Sequence, residues 1–166
     1  MAKKYEKGRF FAEVDEWCTQ AEDRLLWIFM EAVQRVISKM QEVGPSKARG
    51  GQGTGHMPVD TGYLRSSLVV QLNNLSATKT VKPKDVQAFA YDDSQVSMVI
   101  VAAKLGDSIY AAYTAAYARR LEYGFSGTDS AGRTVNQEGY AFVRLAVQQW
   151  QSIVNEVVAE AKSRSA

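Results

Sequence analysis

The sequence predicts an α+β domain in which a long N-terminal helix and a C-terminal helix pack on a small antiparallel sheet, with long flexible loops between elements. Three observations carry that expectation. Apolar residues recur every three or four positions over residues 11–43 and again over 140–163, the period of a helix with one buried face. Between them, residues 68–103 hold runs in which apolar and polar side chains alternate, the period of a strand. A chain of 166 residues is one domain's worth of protein and long enough to bury a core.

The first helix spans roughly Phe11 to Val43. Val14, Trp17, Ala21, Leu25, Ile28, Ala32, Val36 and Met40 form one stripe, widened by Cys18, Phe29, Val33 and Ile37. Gly44-Pro45 ends it, because glycine suits the position after a helix and proline cannot continue one. Residues 44–57 contain five glycines and little to bury, so they read as a flexible loop. Residues 58–68 form a turn and a short helix, with Asp60 expected to cap it by accepting from the backbone N–H groups that follow.

Strands are expected at 68–73, 86–91 and 96–103, with 76–85 a polar loop and Asp92-Asp93-Ser94-Gln95 a hairpin turn. Ile109–Tyr123 reads as a helix, because Tyr110, Tyr113, Tyr117 and Leu121 fall at three-to-four spacing, and Gly124 ends it. Residues 124–139 carry four glycines and read as an exposed loop. Tyr140–Ser163 is the final helix, striped by Phe142, Leu145, Ala146, Trp150, Ile153, Val157 and Ala161.

Composition narrows the chemistry. One cysteine, Cys18, excludes an intrachain disulfide and a multi-cysteine metal site, and one histidine, His56, excludes two-histidine zinc motifs. By the helical period Cys18 lies on the buried side and behaves as a small hydrophobe. Asp60-Thr61-Gly62 spells the tripeptide of aspartic proteases, in which two aspartates share a proton, but here it follows a glycine-rich loop rather than an apolar strand. Gly50–Gly55 is glycine-rich yet lacks the lysine and the strand-to-helix context of a phosphate-binding loop. His56 has no nucleophile beside it. The tyrosines at 110, 113, 117 and 123 read as helix packing rather than a platform for single-stranded nucleic acid. Arg119 and Glu122 are spaced for a surface ion pair. An enzyme is the weaker expectation, and no cofactor or metal is expected.

Charge is distributed unevenly. Residues 1–45 and 86–166 each carry 7 basic and 8 acidic side chains, whereas residues 46–85 carry 6 and 2. The formal +2 of the chain therefore hides a local basic surface formed by Lys47, Arg49, Arg65, Lys79, Lys82 and Lys84. Five of these six sit in loops that bury little, where they are available to an acidic partner or to nucleic acid. The N-terminal segment is basic but is not followed by an apolar signal region, and no apolar run approaches the roughly 20 residues that span a bilayer. A soluble chain made in the cytoplasm, with no membrane association, is the expectation.

Two phrases are more specific than these features. Pro58-Val59-Asp60-Thr61-Gly62-Tyr63-Leu64-Arg65-Ser66-Ser67-Leu68 resembles the P-V-D-T-G-x-L-R-x-S phrase of the tailed-phage tail-completion proteins, also called head–tail joining or minor tail proteins. Tyr117-Ala118-Arg119-Arg120-Leu121-Glu122-Tyr123-Gly124 resembles that family's Y-A-x-x-v-E-f/y-G phrase at a compatible separation. A third family phrase, P-F-l-r-P-A, falls on residues 141–146, where Ala141 and Leu145 stand in place of its prolines. Their absence suggests a final helix that starts earlier or runs straighter.

The resemblance implies a structural virion protein. Such subunits form rings, commonly hexameric, between the head connector and the tail tube, completing or terminating the tail and providing the surface for head attachment. Implied partners are other copies of the chain, the tail tube protein and a head-closure or connector protein, with DNA passing through the lumen without sequence-specific binding. The implied location is the tail or neck of the virion, assembled in the host cytoplasm. A head-closure or other neck component is the alternative within virion assembly, and a nucleic-acid-binding module using residues 46–85 is the alternative outside it. For the matched residues, Asp60 and Thr61 are expected to set the turn into the short helix, and Leu64 and Leu68 to bury its inner face. Arg65 is expected to pair with Glu122, within or between protomers. Gly62, Ser67, Tyr117, Ala118, Tyr123 and Gly124 complete the matched set.

Overall fold

A computed structural model describes residues 7–44, 54–128 and 130–164. It is an α+β fold with six helices and six short strands among the described residues. The long helix α1 (Lys7–Met40) is present. No glycine or proline interrupts it after Gly8, so it runs unbroken for about 50 Å at 1.5 Å per residue. Its C-terminal half supplies the core: Ala32, Val36, Ile37 and Met40 are buried. The described part of the predicted loop at 44–57 closes as a parallel bridge of β1 (Val43–Gly44) and β2 (Met57–Pro58). The rest of that loop lies outside the described residues, as do Lys47 and Arg49.

The short helix α2 (Tyr63–Ser66) forms where expected and leads into β3 (Leu68–Leu72), whose Leu68 and Val70 face the core. The next three expectations are corrected. Residues 86–91 are irregular rather than a strand, and the expected hairpin turn at 92–95 and central strand at 96–103 are replaced by helix α3 (Asp93–Val101), which Asp92 begins. Val96, Ile100 and Ala103 are buried at spacings of four and three, which a helix satisfies as well as a run of β-branched residues suggests a strand. Asp92 decides the matter locally, since its carboxylate accepts from the Ser94 N–H at 3.0 Å and the Ser94 hydroxyl at 2.6 Å, an N-cap.

The predicted helix at 109–123 divides into strand β4 (Ile109–Tyr113) and helix α4 (Ala118–Tyr123). β4 pairs antiparallel with β3, Leu68 opposite Tyr113 and Leu72 opposite Ile109. Local periodicity cannot see this pairing, because its two strands are far apart in sequence. The register is closed by Asn73, which exchanges two bonds with Ser108 at 2.8 and 2.9 Å. Residues 124–139, expected as a loop, form a hairpin of β5 (Gly124–Thr128) and β6 (Thr134–Glu138). The expected single sheet is thus three separate two-stranded pieces.

The final helix begins at Phe142, not earlier, and breaks into α5 (Phe142–Gln148) and α6 (Trp150–Arg164). α6 packs antiparallel on α1 through Ile153, Val157 and Ala161. Arg35 clamps the two helices: its guanidinium forks onto Glu160 at 2.9 and 2.7 Å while its Nε donates to Glu31 at 2.8 Å. These bonds hold Arg35 above its ordinary pKa and Glu160 below its own. The last turn of α6 reaches Trp27, where Arg164 lies over the indole ring at 5.3 Å.

Beyond that point α1 continues alone. Residues 10–20 are all exposed, including Phe10, Phe11, Val14 and Trp17, the last with 68% of its surface open to solvent. Cys18 is exposed as well, which corrects its assignment to the core. The apolar stripe is real, but among the described residues nothing packs on its first half.

The helical assignment of α3 has a direct test. In a strand, Met98 and Ile100 share a face; in this helix Ile100 is buried while Met98 is 65% exposed. Ile100→Ala is expected to cost about 2–5 kcal/mol, and Met98→Ala less than about 0.5 kcal/mol, measured by denaturant unfolding. Equal costs at the two positions would restore the strand.

Candidate functional site

The two resembling phrases, about fifty residues apart, meet at one cleft. It measures about 490 Å³ and is lined by Pro58–Arg65, Lys82, Tyr117 and Leu121. The first phrase enters through Gly62, whose φ of +83° starts α2 and whose α-carbon lies directly under the Phe89 carbonyl, so a side chain there would strike Phe89 O. Phe89 N–H donates to Thr61 O at 2.8 Å, fixing the irregular 73–92 segment against the turn. Asp60 does not cap α2: Gly62 occupies the N-cap position and no side chain bonds there. Asp60 is exposed and Thr61 half-buried at the rim. Asp60 is the one carboxylate among the described residues that line the cleft, so no second aspartate joins it there to share a proton.

The interior of the cleft is aromatic. Tyr63 is buried, with its ring 4.9 Å from Phe89 and 6.2 Å from Tyr117. Burial, with Tyr63 and Asp60 nearby, raises the Tyr117 phenol above its usual range. Leu64 and Leu68 are buried as expected, and Ser67 is buried with its hydroxyl donating to Leu64 O at 2.7 Å. Thr114 completes this joint, its N–H donating to Ser67 O at 2.9 Å.

Glu122 is the residue whose role sequence reasoning missed. It is only 6% exposed, so it is not the surface partner of Arg119, and its hydrogen bonds go to backbone N–H groups rather than to Arg65. Its carboxylate accepts from the Val143 N–H at 2.9 Å and the Arg144 N–H at 2.9 Å. A side chain of α4 thereby caps the first turn of α5, where unbonded N–H groups and the helix dipole favour negative charge. The backbone follows: Tyr140 N–H donates to Leu121 O at 2.7 Å and Ala141 N–H to Glu122 O at 3.1 Å.

These contacts explain the glycine after Tyr123. Gly124 sits at φ +87°, ψ 176°, a conformation open essentially to glycine, with Gln137 and Gly139 backbone against its α-carbon. Ala141 adopts φ +54° and donates its N–H, two things a proline cannot do, and Leu145 N–H donates to Ala141 O at 3.0 Å, so neither position accepts the proline of the third phrase. The sequence does hold a signal for the cap. Gly139-Tyr140-Ala141 offers no Ser, Thr, Asp or Asn before an apolar helix, so α5 had to be capped from elsewhere.

Arg65 turns away from Glu122. Its guanidinium lies over the Tyr91 ring at 5.1 Å, and its buried Nε–H has no acceptor among the described residues. Gln41 donates to Arg65 O at 3.2 Å, tying the cleft to the end of α1. Burial, then the bond to Asp93, pushes the Tyr91 phenol up to about 12. Lys79 and Lys84 are exposed, and Lys82 is half-buried in the cleft wall. Tyr123 is exposed, with Arg144 over its ring at 5.7 Å, and Ala118 packs beneath the cleft. The four tyrosines expected on one helix are distributed over β4, the α4 cap and α4 itself, so they form no common face.

Among the described residues no group of three or more His, Cys, Asp or Glu is placed to hold a metal ion, and no helix is long and apolar enough to cross a membrane. No family model, curated protein or solved structure matches this chain.

Two outcomes test this geometry. Glu122→Ala leaves two N–H groups of α5 without their acceptor and is expected to destabilise the fold by about 2–3 kcal/mol. Glu122→Gln, which keeps one acceptor oxygen, is expected to cost less, both read by denaturant unfolding. For Tyr91, the folded value of about 12 lies above the ordinary phenol value near 10. Its contribution to stability is therefore intact below about pH 10 and lost as the pH rises through about 12. Tyr91→Phe is expected to remove a high-pH step from the phenolate absorbance of the folded protein.

Proposed function

We propose that this chain is a structural subunit of a tailed-phage virion, forming a ring at the head–tail junction that completes or terminates the tail tube and presents the surface for head attachment. The observation that supports the reading most is the convergence of the resembling phrases. Residues 58–65 line one cleft with Tyr117 and Leu121, and Glu122 bonds the second phrase to the third at Val143 and Arg144. Three separate stretches that resemble one family thus act as one structural unit.

The exposed apolar half of α1 supports the same reading. A monomer that works alone rarely leaves a stripe containing Phe10, Phe11, Val14 and Trp17 open to water. In this reading the chain is not an enzyme and uses no cofactor or metal. Its partners are other copies of itself, tail-tube subunits on one side and a head-closure or connector protein on the other. The exposed lysines face acidic protein surfaces first, and DNA in the lumen without sequence preference.

The test is the mass of the full chain in solution, alone and mixed with tail-tube subunits of the same phage. A discrete multimer, expected as a hexamer, that co-migrates with tubes is the predicted result. A strict monomer that never joins a tube overturns the reading.

A further inference from the structure

We infer that the exposed N-terminal arm of α1, residues 10–25, docks on the cleft face of a second copy of this chain. The inference rests on the ring reading above and names the contact that would build the ring.

The arm needs an apolar partner. Phe10, Val14, Trp17 and Leu25 are exposed along one side of it, at spacings that place them on a single helical face. Its polar residues are strongly one-signed: residues 10–25 carry five carboxylates and one arginine. Two such arms laid against each other would bring ten carboxylates together, so charge disfavours pairing of arm with arm.

The cleft face has the opposite character. Residues 79–86 carry three lysines and one aspartate, and within them Val81 is 80% exposed and Val86 38% exposed. Val59, exposed at the cleft rim, continues this apolar surface. Inside, Lys82 and Arg65 line the wall. Exposed valines and lysines are interleaved along this segment, and the exposed Lys79 and Lys84 offer donors to carboxylates. The arm presents the complementary pattern.

An arm cannot reach the cleft of its own chain. α1 is continuous from the arm to Met40, and the cleft is tied to its far end by Gln41 on Arg65 O and by the Val43–Met57 bridge. Arm and cleft therefore lie at opposite ends of one rigid helix. A contact between them joins two molecules, and repeated in one direction it is the heterologous geometry that closes into rings or extends into filaments. In a ring each protomer makes the contact twice, once with its arm and once with its cleft, so a modest interface is reinforced by closure.

Cys18, the sole cysteine, sits exposed on the arm and serves as a probe in the full-length protein. Val81→Cys is expected, under mild oxidation, to give a ladder of covalent multimers linked between Cys18 and the introduced thiol. Met98→Cys, on the exposed face of α3, is expected to give no ladder. Trp17→Glu and Val14→Glu, at positions already open to solvent, are expected to leave the fold intact and convert the multimer to monomer. A multimer that keeps its mass in both charge variants and gives no linkage at position 81 overturns the arm-to-cleft contact but leaves the ring reading standing. Efficient Cys18–Cys18 dimers in the unmodified chain would place arms on arms and also overturn it. A chain that stays monomeric and gives no linkage overturns both.

Discussion

The structure depends on one buried carboxylate. Glu122 sits at the end of α4 and closes the first turn of α5, so a six-residue helix that could not persist alone is locked to the helix pair that covers α1. Around that cap the chain has little freedom. Gly124 must take a backbone conformation that other residues avoid, and Ala141 must take a left-handed one and still donate its N–H. Phe142, fully buried, then lies with its ring 5.5 Å from that of Tyr113, joining the cap to the β3–β4 ribbon. Removing the carboxylate unpins the wall of the cleft as well as a helix end.

This arrangement separates what was legible in the sequence from what was not. The helix of α1 and the alternation of β3 follow from local period, whereas the short α2, expected from an Asp60 cap, forms instead from Gly62. The errors cluster where a long-range partner overrides local period. Ile109–Tyr113 has tyrosines at helical spacing but pairs with Leu68–Leu72. The β-branched run at 96–101 suggests a strand, yet the Asp92 cap and the burial of Val96 and Ile100 make a helix. Glycines at 124, 127, 132 and 139 read as a loop because a hairpin flanked by tight backbone contacts needs the same residues. For the site, the first phrase and the Tyr117–Gly124 phrase were visible as text, but their meeting was not. Glu122 looked like a surface ion because nothing in its neighbourhood in sequence reveals a helix twenty residues on that lacks a cap.

Charge and apolar exposure follow the same division of labour. In the body of the protein Arg35 is clamped between Glu31 and Glu160, and Asp92, Asp107 and Asn73 are spent on caps and turns. Two surfaces combine exposed apolar side chains with charge of one predominant sign. One is the arm, acidic and apolar; the other is the cleft face, basic and apolar. The near-neutral total of the chain thus conceals an acidic arm and a basic segment at 79–86 at opposite ends of a long helix, the pattern on which the proposed head-to-tail contact rests.

The most direct test of that account is hydrogen exchange of the full-length protein, compared between its monomeric and assembled states. The account predicts that amides of residues 10–25 and of 58–65 with 79–86 gain protection together on assembly, while the outer face of α3 does not change. Protection gained by the arm with no change at the cleft face, or by neither, would contradict it.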